Sequence, residues 1–121
     1  TMTLNEVQSN GPLALTASGG ALNVNGTVTS MSEASAKAGG ELDVNGTLQA
    51  ARGLSASAGG ALAVAGTVRA QAATTLDSAS AMSVTGQVRS GGTLTLTSGA
   101  DTSIGGTLAA TGDLALHNAA G

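Results

Sequence analysis

Few residues of this chain can do chemistry. Seven acids (Glu6, Glu33, Glu41, Asp43, Asp77, Asp101, Asp113), four bases (Lys37, Arg52, Arg69, Arg89) and one histidine, His117, are all its titratable side chains. General acid–base catalysis needs carboxylates gathered around one substrate, and a calcium site wants about 6–8 oxygens. Only Glu41 and Asp43 form a local pair, two residues apart and so on one side of a strand. The single histidine falls at an outward position of its repeat and is read as a surface side chain. With no cysteine there is no disulfide framework and no Cys-based metal site. The Gly-Gly pairs at 19–20, 39–40 and 59–60 are followed by neither G-K-[ST] nor G-x-G-x-x-G, so they are read as corners needing permissive φ, not as phosphate loops. The pattern supports no catalytic, metal or cofactor site.

Binding chemistry has more to offer. Arg69 and Arg89 stand twenty residues apart, with Arg52 at a neighbouring corner; together they are an anion or glycan candidate. Asn25-Gly26-Thr27 and Asn45-Gly46-Thr47 are N-glycosylation sequons. Asn-Gly between alternating apolar runs is equally a hairpin turn signal. Thr93, Thr95 and Thr97 make a short threonine face, the form of water-ordering ladders, and are read as outward strand formers. A net charge of −3 and no Phe, Tyr or Trp argue against nucleic acid, which needs basic patches and stacking rings. No apolar run reaches the ~18 residues of a membrane helix.

The elements that must position these residues follow from the spacing. Lines begun at Gly19, Gly39, Gly59, Ala79 and Gly99 stack five twenty-residue segments without a gap, and residues 1–18 form a degenerate sixth with one residue missing at a turn. The expected coils are 1–18, 19–38, 39–58, 59–78, 79–98 and 99–118, in one repeat segment over 1–121. The fourth column holds Leu22, Leu42, Leu62, Met82 and Thr102. The sixth holds Val24, Val44, Val64, Val84 and Ile104. The eighth is Gly26, Gly46, Gly66, Gly86 and Gly106. The tenth is Val28, Leu48, Val68, Val88 and Leu108, and the twelfth is always Ser or Ala. Even positions are apolar or small and odd ones mostly polar, which is the period of a strand. Three short strands per repeat, in register, describe one coil of a parallel β-helix. Val24 then pairs with Val44 in the next coil, and the Asn-Gly is a corner, not a hairpin. The Ala-rich stretches 30–38 and 69–76 have fair helix propensity, but their equivalents 91–98 and 111–118 alternate and contain Gly. The expected core is Leu22, Val24, Leu42, Val44, Leu62, Val64, Met82, Val84 and Ile104.

The repeated G-G-x-L-x-V-x-G-T-V, best kept in 19–28, 39–48 and 59–68, resembles the haemagglutinin repeats of filamentous haemagglutinin. Such repeats occur in large exoproteins of two-partner secretion, both haemagglutinin-type adhesins and contact-dependent growth-inhibition effectors. The resemblance implies a right-handed β-helical shaft, export through an outer-membrane two-partner-secretion transporter, and display on the bacterial surface. It also implies a parent much longer than this chain, in keeping with an opening, TMTLNEV, that reads as a piece cut from something longer. The expected role is structural, carrying a distal adhesive or toxin domain. The alternative is that the segment itself grips a host or target-cell receptor or glycan. No polar cap marks either end of the repeat, so an excised segment is expected either to stack end to end or to need a partner.

Overall fold

The computed structural model describes residues 2–118. Alternating, β-branched-rich segments form strands wherever the repeat predicts them, and no helix occurs among the described residues. The first coil holds β1 (Met2–Ser9) and β2 (Leu13–Ala17); the second holds β3 (Leu22–Ser30) and β4 (Ala34–Ala38). Three strands per coil follow: β5 (Leu42–Val44), β6 (Thr47–Ala50) and β7 (Leu54–Ala58); β8 (Leu62–Val64), β9 (Thr67–Ala70) and β10 (Thr74–Ser78). The last two coils hold β11 (Met82–Val84), β12 (Gln87–Ser90) and β13 (Leu94–Ser98), then β14 (Thr102–Ile104), β15 (Thr107–Ala110) and β16 (Leu114–Asn118). In the first two coils the first two strands run together as one. There the register slips between Leu4 and Glu6, because Asn5 alone spans a corner that takes two residues elsewhere.

All pairing is parallel and between successive coils. Val24 pairs with Val44, Val44 with Val64, Val64 with Val84 and Val84 with Ile104. Two strand columns join into a ten-stranded sheet, and the third is a six-stranded sheet, β16-β13-β10-β7-β4-β2. The molecule is a β-solenoid of about six turns.

The interior is built from the even columns. Leu22, Val24, Leu42, Val44, Leu62, Val64, Met82 and Val84 are buried, as are Val28, Leu48, Val68, Val88, Leu76, Leu94 and Leu96. Each large aliphatic side chain contributes about 1.5–3 kcal/mol of burial. A further inward column, the twentieth, holds Ala17, Ala38, Ala58, Ser78 and Ser98. Ile104 departs from the expected core: it is 38% exposed, because it lies in the last coil and no described strand covers it.

The glycine columns need a correction of cause. No glycine between Gly26 and Gly112 lies at a left-handed φ. The eighth column is glycine for lack of space. A Cβ on Gly46, Gly66, Gly86 or Gly106 would lie 2.0, 1.9, 1.9 or 1.8 Å from the carbonyl oxygen of the glycine one coil below. The hydrogen bonds show why the backbone dips so far. The N–H groups of Ala65 and Gly66 both donate to Val44 O, at 2.8 and 2.9 Å, and Thr67 N–H donates to Gly46 O at 2.9 Å. Asn45 and Gly46 repeat the double bond onto Val24 O, and Thr85 and Gly86 onto Val64 O. In the Gly-Gly pairs the first position is also close, a Cβ on Gly39, Gly59 or Gly99 lying 2.3 Å from a backbone carbonyl oxygen of the coil below, although Ala79 stands in that column; the second is looser, with Ser80 and Ala100 in its column.

Candidate functional site

The other corners are held by buried serines. Ser90 Oγ shares its one proton between the carbonyl oxygens of Ala72 and Thr93, at 2.8 and 3.0 Å, and accepts from Gly92 N–H at 3.3 Å. Ser30 makes the same bonds in its coil, and Ser78, in the twentieth column, makes their counterparts at the corner that follows β10. Where the twelfth column holds Ala50 or Ala70 the corner stands without these bonds.

The strands that lead into these corners carry the arginines. On β9 and β12 the side chains of Val68, Ala70, Val88 and Ser90 point inward, so Arg69 and Arg89 between them point out. The two arginines are paired neighbours in the ladder, and Gln49 pairs with Arg69 one coil earlier. Adjacent parallel strands lie about 4.8 Å apart. Two like charges at that spacing repel by about 1 kcal/mol in water, so the guanidinium heads splay or share an anion. The arginines line an open groove with Gln49, Gln71, Ser90 and Thr111. Ala50, Ala70 and Gly91 are also in its lining. Arg52 is exposed at a corner, with its N–H donating to Ser32 O, and is not in the lining of that groove. Sequence reading missed Gln49, Gln71 and Thr111. The eleventh and thirteenth columns of the aligned repeat were the signal, since they put Gln49 directly before Arg69 and Gln71 and Thr111 on either side of Gly91.

The remaining candidates stay apart. Glu41 is exposed ahead of β5, and Asp43 is half-buried on it between Asn23 and Ala63 in the ladder. Among the described residues no group of three or more His, Cys, Asp or Glu is placed to hold a metal. His117 is exposed on β16, paired with Thr97. Thr95 has Thr75 and then Ser55 below it, with Ala115 above, so the threonine face is short. Asn45 Nδ2 donates to Asn25 Oδ1 at 3.3 Å, both exposed at the corner, so the two sequon asparagines stack as a ladder. No helix of the described chain is long and apolar enough to cross a membrane.

The family model of the haemagglutinin repeat matches residues 8–66 and again residues 59–120. The chain belongs to the haemagglutinin repeat family. No curated protein and no solved structure matches it significantly. The matched stretches run through every coil, so this haemagglutinin-repeat solenoid carries its arginine groove and its asparagine ladder on the repeat itself, not on an inserted loop. Such a solenoid is an adhesin-type structural fold.

Proposed function

We propose that this haemagglutinin-repeat solenoid is a shaft segment of a secreted filamentous exoprotein displayed on a bacterial surface. The exoprotein is an adhesin or a contact-dependent inhibition effector, exported through an outer-membrane two-partner-secretion transporter. The parallel register supports the reading: it stays in step from β3 to β16 and slips once, between Leu4 and Glu6, and the described residues hold no inserted domain and no gathered acidic or histidine groups. The mechanism is mechanical. Each coil adds about 4.8 Å of rod and sets a distal domain that much farther from the cell. Stability is distributed over coils and their interfaces, so no one surface residue is essential. In-frame removal of whole coils from the parent exoprotein tests this. Retained adhesion or target killing, with a shorter projection in electron micrographs, supports a shaft; loss of target binding with the distal domain intact contradicts it.

The arginine groove favours a second reading, in which the segment itself binds an acidic glycan. A glycan array with the Arg69→Ser/Arg89→Ser double variant separates the two. Binding by the unaltered chain that the variant loses assigns the contact to this segment. The stacked sequon asparagines, Asn25 and Asn45, are exposed and accessible to modification, and intact-mass measurement of the secreted protein reads their state directly.

A further inference from the structure

Asn45-Gly46 is an asparagine–glycine pair set between two complete coils, with Asn25-Gly26 before it and Ala65-Gly66 after it. The pair is chemically labile. A backbone nitrogen that follows asparagine can lose its proton and attack the side-chain Cγ. The carboxamide nitrogen leaves as ammonia, a cyclic succinimide forms, and water opens it at either carbonyl. One opening gives aspartate. The other gives isoaspartate, in which the main chain runs through Cβ and Cγ and is one atom longer. A glycine nitrogen has no neighbouring Cβ to hinder the attack.

Asn45 is exposed, so water reaches its side chain. Its corner is nevertheless closed to this reaction. The nucleophile, Gly46 N, donates its proton to Val24 O at 2.9 Å, beside Asn45 N–H on the same oxygen at 2.8 Å. Asn45 Nδ2, the leaving group, donates to Asn25 Oδ1 at 3.3 Å. The following coil holds the other side of the peptide, where Thr67 N–H donates to Gly46 O at 2.9 Å. Ring closure breaks the bonds to Val24 O and Asn25 Oδ1. The corner does not need an asparagine to form: Ala65, Thr85 and Gly105 fill the same column with the same double hydrogen bond.

We propose that Asn45 is a deamidation site gated by folding. It is closed in the solenoid and open in the unfolded chain, and its isoaspartate product bars the coil from closing. The bar follows from the corner's geometry. An added main-chain atom drives apart two N–H groups that share one acceptor, Val24 O. Gly46 has no room to absorb the shift, since even a Cβ on it would strike the backbone carbonyls of Gly26 and Asn25. The aspartate product keeps the main-chain length and leaves the corner able to close. The pair therefore acts as a timer on the unfolded chain: prompt folding preserves Asn45, and delay converts it. The reaction needs only water and is distinct from glycosylation of the same side chain.

The test compares the 121-residue chain folded in buffer with the same chain unfolded in guanidinium chloride, at one pH and temperature. Peptide mapping that resolves aspartate from isoaspartate reads each site over time. Position 45 should convert in the unfolded chain and about tenfold or more slowly in the folded one, because reaction waits for the corner to open and each ~1.4 kcal/mol of opening cost is a factor of ten. The aged unfolded chain is then refolded by dilution and digested briefly with protease. Chains with isoaspartate at position 45 should be depleted from the intact, resistant fraction, and chains with aspartate there should be retained. Equal conversion rates in the two states overturn the proposal. So does isoaspartate at position 45 in the resistant fraction at the same share as in the aged mixture. Neither result bears on the shaft reading, which concerns the stacked coils and not the fate of one side chain.

Discussion

Gly66→Ala and Gly53→Ala are the same chemical change with opposite expected signs. A Cβ on Gly66 would lie 1.9 Å from Gly46 O and 2.8 Å from Asn45 C and O, all backbone. A carbon and a carbonyl oxygen need roughly 3.3 Å, so the coils must part by about 1.4 Å at that corner. The bonds from Ala65 and Gly66 to Val44 O and from Thr67 to Gly46 O, now 2.8–2.9 Å, would stretch beyond bonding length. Three bonds at about 1 kcal/mol each, with overpacking strain of about 1–3 kcal/mol, make Gly66→Ala destabilising by roughly 4–6 kcal/mol. Gly53 stands in the fifteenth column, where every other full coil has a Cβ: Glu33, Ala73, Thr93 and Asp113. Its own Cβ would meet only Ala73 O, at 3.5 Å, an ordinary contact, and its φ is not left-handed. Gly53→Ala should therefore stabilise by about 0.4–1 kcal/mol through the unfolded chain. Equilibrium urea unfolding followed by far-UV circular dichroism reads both. Equal shifts for the two variants, or a Gly66→Ala midpoint unchanged from the parent, would refute the argument from close approach.

Other outcomes follow from the same structure. Val64→Asp places an unpaired charge at a site 1% exposed and should destabilise by several kcal/mol in the same urea assay; an unchanged midpoint refutes its inward position. Thr74 Oγ1 is buried without a hydrogen-bond partner, so Thr74→Val should raise stability by about 1–3 kcal/mol, and a lower midpoint would show that the hydroxyl is satisfied. Leu96→Ala should cost about 2–5 kcal/mol, while Leu116→Ala, with a described coil on one side only and 49% exposed, should cost far less; equal costs would mean the last coil is covered.

The sequence made the solenoid legible because the pattern is written five times over. Any single stretch misleads: Asn25-Gly26 is a hairpin signal until Asn45-Gly46 and Ala65-Gly66 appear twenty and forty residues on. Register, inward columns and the missing residue near Asn5 could all be read this way. The role of the eighth glycine could not. Periodicity says that a residue is required, while the reason, a backbone carbonyl of the coil below, exists only once coils stack. The exposure of Ile104 was hidden for a similar cause, since column membership sets which way a side chain points and neighbours on both sides decide whether it is covered. The serine fastenings were half visible: the twelfth column reads as small, but Ser30 and Ser90 bond to carbonyls from two coils, which alignment alone does not show. The groove around Arg69 and Arg89 was visible as a ladder, and its glutamine neighbours came into view with the pairing of β6 to β9.

The central claim is that sequence distance converts to rod length at one coil per twenty residues. Because the chain has no cysteine, pairs of introduced cysteines can carry spin labels without interference. The seventeenth column offers Ala14, Ser35, Ser55 and Thr75 as partners for a label fixed at Ala115, all outward and in register. Pulsed dipolar spectroscopy should give distances that fall in even steps of about 4.8 Å from about 24 Å at Ala14 to about 10 Å at Thr75. Distances that do not scale with the number of coils between the labels would contradict the stacked solenoid and the shaft function that rests on it.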